Sequence, residues 1–262
     1  MSLTRLGAVA YLNARPLTYG LELKNADFAL RFDAPSKCAS LLHEHAVDLG
    51  MIPSVEFLRG HEAYRIVPNL GITSNGPVAS VALFCRTPLS AVRTIAADTS
   101  SRTSNALLRI LCVERFGLDP EFVPMAPDAT AMLYRCDAAL IIGDPALFLD
   151  PEAQEVRKVD LGEEWTAMTG LPFVWAFWAG RPDALTPARL TMLQDARTAG
   201  VSSSDRIADE YCGAERSALC RGYLKDNIHY VLGEPEQAGL RRFYELAIAH
   251  ELVEGTRPIA FF

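Results

Sequence analysis

The sequence predicts an α/β protein of two lobes, with mixed, mainly parallel sheets flanked by helices and a ligand cleft between the lobes. Three observations predict this. Short apolar runs alternate with helical patterns from Arg5 onward, which indicates βαβ units and parallel pairing. The alternation starts afresh near residue 89, and beyond Gly180 the pattern turns helical.

RLGAVAYL (5–12) reads as the first strand, and Pro16 follows near a helix start, where a missing N–H costs little. FALRF (28–32) is the next strand, and Ser36 is the expected cap of the helix in KCASLLHEHA. VDLGMI (47–52) is a third strand and SVEFLRG a short helix. VASVALFCR (78–86) is a strand suited to leaving the first lobe. TIAAD (94–98) restarts the pattern, followed by the amphipathic helix of TSNALLRILCVERFG, closed by Gly117. EFVPM is a strand, DATAMLYR a helix and DAALIIGD (137–144) a buried strand ending in a Gly-Asp turn. PFVWAFWAG (172–180) is a strong strand that returns the chain to the first lobe. Thr186 and Pro187 form an N-cap and N1 pair before helices over 187–199, 205–211, 214–224 and 235–250, with IHYVL (228–232) as a last strand. One lobe then comprises residues 1–88 plus 178–262, and residues 89–177 form an inserted lobe. Two crossings imply a hinge, with a ligand held between the lobes.

Composition narrows the function. The formal net charge of -7 argues against nucleic acid and anionic membranes as partners. A small anion remains compatible, because neutral donors and helix N-termini can hold it. MSLTRLGAVAYLN lacks a basic segment followed by a continuous apolar one, so no signal peptide and a cytoplasmic location are expected. The apolar runs are far too short to span a bilayer. Six cysteines without a C-x-x-C pair, most in apolar segments, are expected to stay unpaired in a reducing compartment. There is no G-x-S-x-G, P-loop or G-x-G-x-x-G motif. His43 and His45 are two apart near a helix end and diverge, so no metal is expected.

Four segments can carry chemistry. AVAYLNARPL places Tyr11, Asn13 and Arg15 where the first strand ends, the position at which open α/β sheets bind ligands. A plain turn with Asn13 in the left-handed region explains the same residues equally well. DTSSRTSNALL surrounds a helix start with five hydroxyl residues and Asn105. One hydroxyl suffices for capping; the surplus favours an anion held by Thr103, Ser104, Asn105 and free N–H groups. IIGDPAL offers Gly143 for close ligand approach, and Asp144 as a helix cap or a ligand contact. Ser54 in IPS is a cap, a donor to ligand, or both. Phe173, Trp175 and Phe177 share one strand face and are mostly core, although one of them can wall a pocket for an unsaturated ring.

Taken in order, GAVAYLNARPL, DLGMIPSVEFL, VASVALFCR, SSRTSNALLRIL, DAALIIGDPAL and DLGEEWTAMTGLPFVWAFWA resemble the chorismate dehydratases of the futalosine route to menaquinone. That is a cytoplasmic family with the type II periplasmic-binding-protein fold, and the resemblance covers roughly residues 5–180. The lobe borders given above rest partly on it. It implies chorismate as the small anionic substrate, a hydro-lyase activity, and no metal or redox cofactor. It also carries Asn13 and Ser80 over as catalytic residues, from the YLN and S-V-x-L-F motifs. Two alternatives stay open: the dihydroxynaphthoate synthase that acts later in that route, and a small-anion-binding protein without catalysis.

Overall fold

A computed structural model describes residues 3–24 and 26–262. The chain opens with β1 (Thr4–Val9), a 3-10 turn at Leu12–Ala14, and the one-turn helix α1 (Arg15–Thr18). Next come β2 (Phe28–Asp33), α2 (Pro35–His43), β3 (Leu49–Pro53), α3 (Glu56–Arg59), β4 (Arg65–Ile66) and β5 (Ile72–Ser74). A second series follows: β6 (Val81–Cys85), β7 (Thr94–Asp98), α4 (Arg102–Leu111), β8 (Glu121–Met125), α5 (Ala129–Arg135), β9 (Ala138–Ile142), α6 (Gly143–Phe148), β10 (Arg157–Asp160) and α7 (Leu161–Thr169). β11 (Phe173–Gly180) precedes the helical tail of α8 (Pro187–Ser202), α9 (Ser204–Gly222) and α10 (Glu234–Ala249).

The strands form two sheets. The first runs β2-β1-β3-β11, with β4 and β5 both on the far side of β11; the second runs β10-β6-β9-β7-β8. β1 is parallel to β2 and β3, and β7 is parallel to β8 and β9, while β6 and β11 run against their neighbours. The central strands β3, β9 and β11 are buried along their whole length, as sheets covered on both faces require. β11 supplies an aromatic cluster to the core: Phe173 meets Trp165 and Phe243 edge-on, and Phe177 meets Phe57 the same way. The tail closes over the first sheet. α8 crosses α1 so closely that a Cβ on Gly200 would lie 2.0 Å from the Pro16 carbonyl oxygen. Among the described residues no helix is long and apolar enough to cross a membrane.

Several sequence expectations change here. β6, expected in the lobe of residues 1–88, pairs with β9 and β10 in the second sheet, and β11 pairs wholly in the first. Sheet membership therefore puts the crossings before Val81 and before Phe173. Apolar patterning marks Val81–Cys85 as a strand but does not choose its partner. Ser36 is not the cap of α2: Ala34 holds that position and Pro35 begins the helix, while the Ser36 N–H donates to the Ser100 carbonyl of the other lobe at 3.1 Å. Residues 228–232 make only a bridge between His229 and Thr73 rather than a strand. Cys212 and Cys220 form a disulfide, against the expectation of unpaired thiols. Gly213, with φ of 67°, breaks the helical course of α9 between them, so their spacing is not that of one continuous helix. The other four cysteines are buried and free.

Candidate active site between the lobes

A cavity lies where β1, β7 and β9 end, at the carboxyl edges of both sheets. From the first lobe, Tyr11 and Asn13 enter it on the turn after β1, and Trp175 and Ala176 line it from β11. Adjacent residues of a regular strand face opposite ways. A register shift against β5 between Val174 and Ala176 lets both reach the cavity. The second lobe contributes Ser101, Thr103 and Ser104 at the start of α4, and Gly143 at the start of α6. Apolar side chains, among them Val9, Val81 and Ile142, complete the walls.

The N-terminus of α4 is open. Ser101 occupies the cap position, yet no side chain caps the helix. Its first N–H groups and the dipole therefore point at the cavity beside the Thr103 and Ser104 hydroxyls, an arrangement suited to a carboxylate. Thr103 also reaches across the cleft: its hydroxyl oxygen accepts from the Val55 N–H at 3.2 Å and lies 3.4 Å from Ser54 Oγ. Asn13 sits in the 3-10 turn rather than in a left-handed turn, and its Oδ1 is buried with no partner. A buried amide oxygen left unpaired is costly and marks a place for a ligand group. Gly143 has φ of 66°, and a Cβ there would lie 2.7 Å from the Tyr11 ring. Only glycine allows that ring to stack on the backbone without strain.

The remaining expected residues stand behind these walls. Ser80, fully buried before β6, accepts a hydrogen bond from the Tyr223 hydroxyl at 2.7 Å. Ser54, also fully buried, uses its carbonyl to accept from Tyr244 at 2.7 Å. Asn105 folds back on its own loop, donating to the Asp98 and Ser101 carbonyls at 2.7 Å each, and so braces the α4 start instead of facing the cavity. Asp144 is neither a cap nor a cavity wall. It accepts from the Leu12 N–H at 3.1 Å and from the Tyr211 hydroxyl at 2.5 Å, which ties the lobes together at one rim. Arg15 points outward, over the rings of Phe32 and Tyr211. Tyr223 and Tyr244 escaped sequence reasoning because nothing local connects these distant tail tyrosines to Ser80 or Ser54.

The opposite rim is an ion cluster. Glu56, 1% exposed, receives Arg102 of the second lobe at 2.5 Å, with Arg59 at 3.0 Å and His43 at 3.3 Å. Burial pushes the Glu56 carboxyl up. The hydrogen bond from His43 and the charges and hydrogen bonds of Arg102 and Arg59 outweigh it and bring the pKa from 4.5 down to about 2. A depressed carboxyl pKa gives stability that is fully present above 4.5 and is lost as pH falls toward 2. Glu56→Gln should therefore melt below the parent near neutral pH, and the gap should narrow through that acid window. A gap that ignores pH would contradict the charge assignment. With both rims joined, the lobes stand in a closed arrangement. Among the described residues, no Asp, Glu, His, Lys or Arg lines the cavity, and no group of three or more His, Cys, Asp or Glu is placed to hold a metal.

A sequence model of a menaquinone-biosynthesis family matches residues 4–249. The chain belongs to this family. A chorismate dehydratase from Thermus thermophilus is 31% identical, over 92% of this chain and 93% of its own length. A chorismate dehydratase from Campylobacter jejuni is 28% identical, over 94% of this chain and 98% of its own. Among solved structures, a protein from Archaeoglobus fulgidus superposes with a TM-score of 0.77 at 18% identity, covering 95% of this chain and 98% of that one. The alkanesulfonate-binding protein SsuA from Xanthomonas axonopodis pv. citri, bound to MOPS, superposes with a TM-score of 0.68 at 17% identity, covering 97% and 95%. The menaquinone-biosynthesis chain thus has the two-lobed fold of type II periplasmic binding proteins, as its sequence predicts.

Proposed function

We propose that the chain is a chorismate dehydratase, a hydro-lyase that converts chorismate to 3-[(1-carboxyvinyl)oxy]benzoate and water in menaquinone biosynthesis. The observation that carries this is the 31% identity to a chorismate dehydratase across 92% of the chain. The cavity suits the chemistry. The hydrogen on C3 of chorismate is vinylogously alpha to the ring carboxylate. Its removal leaves an anion delocalised into that carboxylate; the C4–O bond then breaks and the ring becomes aromatic. The open start of α4, with Thr103 and Ser104, would hold the ring carboxylate and stabilise the growing charge. The Asn13 amide NH2 would serve as a neutral donor to the departing hydroxyl and the enolpyruvyl group, and the Ser80 hydroxyl would join it from between the wall residues Val78, Val81 and Gly143. Burial raises the Tyr11 phenol pKa, so it stays protonated at neutral pH and also acts as a donor. Trp175 offers a flat wall to the unsaturated ring.

The base is the remaining requirement. Among the described residues Tyr11 is the one ionisable side chain on the cavity wall, so the substrate's own enolpyruvyl carboxylate takes the C3 proton and passes it to the leaving hydroxide, and water departs. The step is redox-neutral and calls for no cofactor. It follows that kcat should be flat between about pH 6 and 9, because free carboxylates titrate near pH 4. A bell-shaped kcat profile centred near neutrality would point to a protein base instead.

The reading includes a cytoplasmic location. The four free, buried cysteines accord with a reducing compartment, and the Cys212–Cys220 disulfide does not. The activity is tested by mixing purified protein with chorismate and following mass and absorbance. Loss of one water with appearance of a benzoate is the expected result. Binding without turnover would make the chain a small-anion binder.

A further inference from the structure

We propose that Tyr223 is a positioning residue for the dehydration, fixing the Ser80 hydroxyl as a hydrogen donor toward the substrate; this rests on reading the cavity as a chorismate dehydratase site. Tyr223 starts the turn after α9, 143 residues beyond Ser80, and is 2% exposed. Its hydroxyl donates to Ser80 Oγ at 2.7 Å. That is the one hydrogen bond the Ser80 hydroxyl makes among the described residues. A serine hydroxyl carries one hydrogen and two lone pairs. When Tyr223 occupies a lone pair, the serine hydrogen must turn elsewhere, and no protein acceptor takes it. It is therefore free to be given to a ligand group that reaches Ser80 from the cavity between the wall residues Val78, Val81 and Gly143.

The backbone at Ser80 is held just as firmly. Ala79 has φ of 62°, in the left-handed region that a residue with a Cβ seldom adopts. Such a conformation persists only where the surroundings over-determine it. Here the Val78 and Ala79 N–H groups donate to the Asp160 carboxylate at 3.0 and 2.7 Å. Lys158 donates to the Ala79 carbonyl at 2.6 Å, and the Gly143 N–H donates to the Ser80 carbonyl at 2.7 Å. Gly143 is itself a cavity wall, so the Ser80 backbone is bonded directly to the site. Burial pushes the Tyr223 phenol far above its usual range. The phenol thus keeps its proton and stays a donor.

Tyr223→Phe keeps the ring and removes only the donor. It should lower kcat by about ten- to a hundredfold and leave KM within about twofold. Ser80→Ala should cost at least as much, and the double variant should be no worse than Ser80→Ala alone, because the phenol acts only through the serine. A Tyr223→Phe enzyme with unchanged kcat, or a double variant whose losses multiply, would overturn the proposal. A second readout does not depend on turnover. Crystal structures of the parent and Tyr223→Phe should show one Ser80 rotamer in the first and a redistributed one in the second. An unaltered rotamer would also overturn the proposal. If the parent itself leaves chorismate untouched, the dehydratase reading falls, and the rotamer comparison still decides whether Tyr223 positions Ser80.

Discussion

Asn13→Ala is expected to lower kcat by roughly a hundred- to a thousandfold, or about 2.7–4 kcal/mol, with much less effect on KM. The basis is the place of this amide in the cavity, where its NH2 makes no hydrogen bond among the described residues and its Oδ1, buried and unpaired, can accept from a substrate hydroxyl. A group that lacks a partner in the free protein gains most where charge and geometry change, at the transition state. Its position on a 3-10 turn after a fully paired strand makes it rigid, so little is spent on ordering it during reaction. Asn13→Asp is the sharper comparison. It keeps the shape and adds a negative charge beside a dianionic substrate, so KM should rise as well as kcat falling. Steady-state kinetics on both variants check this. An Asn13→Ala enzyme with normal kcat and ordinary stability would remove Asn13 from the mechanism.

The second large effect is expected at the start of α4. Loss of one hydrogen bond to a charged acceptor costs about 1.5–3 kcal/mol, so Thr103→Ala or Ser104→Ala should weaken substrate or product binding about ten- to a hundredfold. A capping role would predict lowered thermal stability with affinity intact. The structure has no side-chain cap on α4, which already separates the two roles. Thr103 differs from Ser104 in one respect. It also accepts from the Val55 N–H across the cleft, so its loss should reduce lobe closure along with affinity. Ser104 makes no such crossing contact among the described residues, and its variant should lose affinity alone. Calorimetric titration with thermal melts on the same two proteins checks both statements. Unchanged affinity in both variants would move the carboxylate away from this helix.

These expectations rest on residues that differ in how far sequence reveals them. The strand-helix alternation exposes β1, β7, β9 and α4, because burial leaves a periodic trace in the apolar residues. The residues that follow those strands, Tyr11, Asn13, Thr103, Ser104 and Gly143, are legible for the same reason: in α/β sheets, strand ends are where ligands meet the fold. Asn105 and Asp144 share that location but spend their side chains on the Asp98 loop and on Tyr211. A strand-end position alone does not tell which way a polar side chain turns. Tyr223 left no signal, because the contact that gives it meaning is made only once the helical tail has packed against the loop before β6. The same holds for the sheet membership of β6, which depends on its partners β9 and β10 and not on its own composition. The Cys212–Cys220 pair depends on the break at Gly213, a conformation glycine permits but does not dictate.

The central claim is that one cavity between the lobes orients chorismate by its ring carboxylate and lets the substrate supply the base. A crystal structure of the complex with 3-[(1-carboxyvinyl)oxy]benzoate tests it most directly. The account predicts the ring carboxylate on the N–H groups opening α4 and on Thr103 and Ser104, the ring against Trp175, and the enolpyruvyl carboxylate folded toward the ring carbon that carried the lost proton, within reach of Asn13. A product molecule seated outside this cavity, or held with its ring carboxylate away from α4, would contradict it.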